Sequence, residues 1–135
     1  MLGEYIRLIR SYPRFLTYSS LHMFFSGPGQ SFSFALFAPS FATAFALGAG
    51  GFGTLYSTAT LVSAALMPFF GPLIDRIDLR ICSVSVGLLM ALSLFTTSLA
   101  PSLPVLFAGV LLLRLTGQGL MTQIGGVSTT RFFGS

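Results

Sequence analysis

Four apolar runs, at residues 15–37, 53–70, 81–100 and 104–127, hold one charged side chain between them, Arg114. A helix needs about 20 predominantly apolar residues to cross a bilayer, and runs of this kind are read as spanning helices. The links between them are short: a small, Gly-rich, uncharged stretch at 38–52, a tight charged turn from Asp75 to Arg80, and Pro101–Leu103. Pro104 suits the first turn of a helix. The pattern predicts an all-α membrane protein with four transmembrane helices, preceded by a segment at 1–14.

The rest of the composition agrees. Only 7% of the residues are charged and 53% are hydrophobic, against about 25% charged in an ordinary soluble domain. A net charge of +4 does not make a nucleic-acid-binding face, because the seven Lys+Arg are all Arg and lie scattered between apolar runs. No nucleic acid partner is expected; the expected surroundings are a lipid bilayer. One His and one Cys build no metal site, and no cofactor motif or Walker-type loop is present. The Gly-rich 48–53 follows no strand and reads as a turn. Enzyme chemistry is not expected.

Arg placement sets the expected orientation. Arg7, Arg10 and Arg14 precede the first run, Arg76 and Arg80 lie between the second and third, and Arg131 follows the fourth. With four spans all of these fall on one side, which the positive-inside rule makes cytoplasmic. The N-terminus is then cytoplasmic in a multi-pass protein. Residues 4–12 place Tyr5, Leu8, Ile9 and Tyr12 at helical spacing and predict a short interfacial helix before Pro13. A cleaved signal peptide fits less well, since the first run is too long and no small-residue cleavage site follows it.

Inside the spans, polar and irregular residues are the candidates for function. Gly27, Pro28 and Gly29 stand in the middle of the first run. Proline removes a backbone donor and clashes with the preceding turn. Such a break is tolerated in a membrane only where protein or water satisfies the freed carbonyls, and discontinuous helices commonly build transporter binding sites. Gln30 follows the break, and His22, Ser26, Gly29 and Ser33 recur at helical spacing around it. Arg114 lies about 15 Å into the fourth span, where a charge costs about 2.5–3.5 kcal/mol on the insertion scale. Gln118 sits one turn on, and Gly125 farther along the same face. No Asp or Glu lies in any span, so the expected counter-charge is an anionic solute, a cage of carbonyls or a segment outside this chain. Gly53, Ser57, Thr60, Ala64 and Gly71 form a small-residue stripe on the second span, expected to press against a neighbouring helix; Ser83, Gly87 and Ala91 form a shorter one on the third.

Two stretches carry a resemblance. "GPLIDRIDLR", residues 71–80, resembles the loop between helices two and three of the major facilitator superfamily, with Gly71, Asp75, Arg76 and Arg80 at matching places and Asp78 where that family usually has Gly. "RLTGQG", residues 114–119, looks like the family's helix-four motif, and "FSGPGQSF" on helix one and "RFF" at 131–133 resemble bacterial members that move small organic solutes. The resemblance implies the first third of the usual twelve-helix fold, in a bacterial inner membrane, moving a small solute by alternating access with a coupling ion. It implies substrate-cavity roles for Gln30, Arg114, Gln118 and His22, and a gating role for Gly71, Asp75, Arg76 and Arg80 against an opposite half. That half would come from a missing C-terminal portion or an oligomeric partner. Two other readings stay open: a self-contained oligomeric four-helix membrane protein, exporter or scaffold, and an inactive gene fragment.

Overall fold

The computed structural model describes residues 2–48 and 50–133, without the side chains of Leu2, Tyr5, Leu8 and residues 131–133. Those residues are helical, with no strand among them. A short amphipathic helix, α1 (Leu2–Ser11), ends before Pro13, which opens α2 (Pro13–Phe25) from its first turn. The expected apolar face of α1 rests partly on Tyr5 and Leu8, whose side chains lie outside the described residues.

After α2 the chain makes a single 3₁₀ turn, Gly27–Gly29, passes through Gln30 in an extended conformation (φ −81°, ψ 156°) and restarts as α3 (Ser31–Ala44). The first apolar run is therefore two helices of 13 and 14 residues. Each is only about 20 Å long at 1.5 Å per residue, short of a ~30 Å hydrocarbon core. Three other helices are long and apolar enough to cross a membrane: Gly51–Arg76, Leu79–Ser98 and Leu103–Thr130.

Helix α3 runs seven residues past the end of its apolar run, leaving only residues 45–50 to reach α4 (Gly51–Arg76). It closes in a left-handed turn at Ala46 (φ 50°), where the Leu47 amide donates to the Ala42 carbonyl at 2.8 Å and the Ala46 amide to Thr43 at 3.3 Å. This is the paired hydrogen-bond pattern that usually carries Gly at the left-handed position.

Helix α4 also outruns its apolar stretch, continuing through Pro68 and Pro72 to Arg76. Pro72 follows the end of the apolar run but does not end the helix. The two rings stand four residues apart on the exposed side, so the carbonyl that Pro72 leaves without its helical donor is that of Pro68, and the disruption stays on one face of the last turns. The charged link shrinks accordingly: Asp75 and Arg76 belong to the last turn of α4, and only Ile77 and Asp78 separate it from α5 (Leu79–Ser98).

The fourth run forms one long rod: α6 (Leu103–Leu113), a π-helical segment Arg114–Met121, and α7 (Thr122–Phe133). It is the centre of the molecule. Half (50%) of its apolar window is buried, against 22% for each of the other two long helices. Leu106, Val110, Thr116 and Ile124 are fully enclosed. Helices α4 and α5 flank α6, and α2 lies along α7. Between α2 and α7, Ser19 Oγ and Ser128 Oγ hydrogen bond at 2.8 Å. Helix α3 touches α4 through aromatic pairs, Phe34 with Tyr56 and Phe41 stacked on Phe52.

The outward surface is apolar. Phe24 and Phe69 are each 77% exposed, and Leu36, Leu61 and Leu99 exceed 70%. Patches of this kind are rare on soluble monomers and suit contact with lipid. The small-residue stripe of α4 is divided: Gly53, Ser57 and Ala64 are exposed, Thr60 is half-buried, and Gly71 lies on the buried face with Phe52, Leu55, Ala59, Ser63 and Ile74. On α5, Ser83 meets α2 at Tyr18 and His22, while Ala91 is exposed and a Cβ on Gly87 would meet nothing within 4 Å.

Candidate functional site

The two irregular segments of the chain pack on each other. Gly29, in the 3₁₀ turn, lies directly against Gly117, in the π-helical segment. A Cβ built on Gly29 would fall 2.5 Å from the Leu113 carbonyl oxygen and 2.6 Å from Gly117 Cα. One built on Gly117 would fall 2.7 Å from Gly29 Cα. Neither position has room for a side chain, and the two backbones touch because neither has one.

This close approach explains how a broken helix survives in an apolar setting. Breaking α2 from α3 frees carbonyls that an unbroken helix would occupy. The Gly27 carbonyl accepts the Gln30 amide at 2.9 Å and the Ser33 hydroxyl at 2.6 Å. The Ser26 carbonyl accepts the Gly29 amide at 3.0 Å. The Gly29 carbonyl is filled from another helix: Arg114 Nη1 donates to it at 3.1 Å. Arg114 is 6% exposed. Ser31 Oγ lies 3.5 Å from the same nitrogen, and the Tyr56 ring stands 5.1 Å from the guanidinium carbon, within cation–π range. Tyr56 is itself held by its hydroxyl, which donates to Ser31 Oγ at 2.9 Å. In place of the expected cage of carbonyls, Arg114 meets one carbonyl, one hydroxyl and an aromatic face.

These contacts do not use the whole guanidinium. Arg114 Nε is buried without a hydrogen-bond partner, and so is Gln123 Oε1. Both side chains border one groove between α4 and the central rod, of about 560 Å³, together with Thr60, Ser63 and Gln118. A buried polar atom left unpaired costs about 1–3 kcal/mol. Both unpaired atoms belong to side chains that line this one groove in an otherwise apolar molecule.

The remaining predicted residues divide between this place and others. Gln118 is exposed on the rim of the groove, while Gly125 on the same predicted face is buried against Met23 of α2. Gln30 sits beside the break but turns its amide to Ser26 Oγ at 3.3 Å rather than to Arg114. His22 is elsewhere: Nδ1 lies 2.9 Å from the Tyr18 carbonyl and Nε2 2.9 Å from Ser83 Oγ of α5. The polar face drawn through His22, Ser26 and Ser33 is not one surface, because the extended Gln30 resets the helical phase between its members.

Gly71 is buried inside α4 rather than in the turn, where a Cβ would lie 3.1 Å from the Gln123 amide nitrogen. It makes room for a residue that borders the groove. Asp75, Arg76 and Arg80 are exposed at the α4–α5 turn. Asp78 has a structural task there: its Oδ1 accepts the Arg80 amide at 2.8 Å and caps the N-terminus of α5. An Asp just ahead of an apolar run is a readable cap signal. The π-helical register had a weaker one, two Gly around Gln118, and nothing local marked Tyr56, Ser31 or Gln123 as neighbours of Arg114.

Compared with known proteins, the chain matches no family model, no curated protein and no solved structure.

Proposed function

We propose that this chain forms part of a secondary transporter that moves a small organic solute, most simply an anion, across a bacterial inner membrane. The observation that carries the reading is Arg114: a cation buried within the central helix, bonded to one carbonyl and, among the described residues, to no carboxylate, with a buried unpaired Nε and a side chain that lines a groove. Intramembrane ions mark substrate or ion pathways by default. Broken helices at mid-membrane have the same association. The likeness of residues 71–80 and 114–119 to the major facilitator superfamily supports the same reading. In it the first apolar run counts as a fourth, discontinuous span, the N-terminus is cytoplasmic, and the α4–α5 turn meets an opposite half. Arg114 and Gln118 then face the solute path, while Gln30 steadies the break.

The test is uptake into liposomes reconstituted with the purified protein, using labelled mono- and dicarboxylates. Saturable uptake that disappears with Arg114→Gln supports the proposal. Folded, inserted protein that neither moves any anion nor is stabilised against heat by one overturns it.

A second reading, a self-contained oligomeric membrane protein, is favoured by one observation: Gly53, Ser57 and Ala64 on α4 face outward. Small residues of that kind let helices of separate subunits approach closely. A defined oligomer by light scattering in detergent, broken by Ser57→Leu, supports it; a strict monomer at all concentrations excludes it.

A further inference from the structure

A second polar cluster lies apart from the Arg114 groove, where α2 meets the start of α5. We infer that Tyr18, His22 and Ser83 form a proton-binding site, with His22 Nε2 as the atom that takes the proton.

The hydrogen-bond inventory assigns the atoms. The Tyr18 carbonyl can only accept, so His22 Nδ1, 2.9 Å away, carries a hydrogen in every state. In the neutral ring Nε2 is then an acceptor, and its partner at 2.9 Å is Ser83 Oγ, which donates. The Tyr18 hydroxyl has two acceptors in reach, Ser83 Oγ and, at 3.3 Å, the Leu79 carbonyl. When Nε2 gains a proton it becomes a donor to Ser83 Oγ. The Ser83 hydrogen then rotates to the Leu79 carbonyl, 2.7 Å away, and Tyr18 donates to the second lone pair of Ser83 Oγ. Every donor and acceptor is matched in both states. The change needs only hydroxyl rotation, with no movement of heavy atoms.

His22 is half-buried beside an open, largely apolar depression of about 290 Å³ lined by Leu21, Phe25, Ser83, Val84 and Met121. Among the described residues, α5 brings Ser83 and Val84 to it and the π-helical segment brings Met121. Arg114 on that segment is held at Gly29 instead, and α7 meets α2 through Ser128 and Gly125 at Ser19. Arg7 and Arg10 on α1, Arg14 on α2 four residues before Tyr18, Asp75 and Arg76 at the end of α4, and Asp78 and Arg80 at the start of α5 are exposed. Titratable neighbours of the ring include Tyr18, whose ring centroid is 4.3 Å from that of His22, and the buried Cys82 next to Ser83. No charged side chain lines the depression. Histidine is the side chain suited to gain and lose a proton near neutral pH. If the transport reading holds, this proton is the coupling ion; the site itself does not depend on that reading.

The chain has one His, so nitrogen NMR of ¹⁵N-histidine-labelled protein in lipid bilayers reports this ring alone. The expected result is a neutral Nδ1–H tautomer at high pH, and protonation of Nε2 as the pH falls. Ser83→Ala removes the partner of Nε2 in both states and should weaken proton binding roughly tenfold, because the bond to the charged ring is the stronger of the two. A neutral Nε2–H tautomer, a ring that keeps one protonation state from about pH 9 to about pH 4 across the usual histidine range, or a midpoint indifferent to Ser83→Ala in folded protein overturns the site. The tautomer reading needs no variant, so a misfolded Ser83→Ala protein does not spare the proposal.

Discussion

Gly29 and Gly117 touch backbone to backbone, the 3₁₀ turn of one helix seated in the π-helical segment of another. π-Turns within α-helices occur frequently at functional sites. Here the irregular turn of the central rod holds Arg114 and Gly117 together against the break, so that the same contact that brings the backbones together also delivers a guanidinium to the Gly29 carbonyl.

Alanine at either glycine must displace backbone rather than a flexible side chain. Overpacking a filled interior costs about 1–3 kcal/mol, and these clashes fall at its upper end or beyond. Thermal unfolding in detergent should show a large loss for Gly29→Ala and Gly117→Ala. Gly87, with open space around its would-be Cβ, is the control, and Gly87→Ala should be neutral or stabilising by about 0.5–1 kcal/mol, as for any interior helical glycine.

Replacing Arg114 sets two terms against each other. The Gly29 carbonyl loses its partner, about 1–3 kcal/mol, while the burial of a charge, about 2.5–3.5 kcal/mol, is relieved. Stability of Arg114→Gln should therefore change little, measured by thermal unfolding, while binding of any anionic solute, measured by isothermal calorimetry, is lost. A collapse of the fold would instead make Arg114 chiefly a structural clamp on the break.

Ala46 occupies a left-handed conformation that costs a non-glycine residue about 1–2 kcal/mol. Ala46→Gly should raise stability by up to about 1 kcal/mol after the added freedom of the unfolded chain is counted. A fall in the unfolding temperature would mean that the turn at the end of α3 is not formed.

Asp78 caps α5. Asp78→Ala should lower stability by about 0.5–2 kcal/mol, and Asp78→Asn, which keeps the accepting oxygen, should recover most of it. Equal loss in both variants would point to the charge rather than the cap.

The helical class was legible because apolar run length and the scarcity of charge are local properties that any bilayer-suited helix must satisfy. The break at Gly27–Gly29 was legible for the same reason, since proline and glycine act on their own backbone. The ends of helices were not. α3 and α4 continue past their apolar runs to Ala44 and Arg76, because termination depends on caps and on exposed prolines that a helix near its end can absorb. The small-residue stripe of α4 was visible as a pattern, but of its five residues only Gly71 is buried, since side chains such as Phe52 and Leu55 also turn inward.

Local order along the chain thus settled that these residues would form apolar helices, where one would break, and that a lone Arg would be embedded in another. It could not say that the break and the Arg would meet. Gly29 and Arg114 are 85 residues apart, and their pairing depends on two backbones that come close only after the rods have packed. The separation of His22 from the groove has the same origin: the phase shift at Gln30 turns residues that share a face on paper toward different neighbours in space.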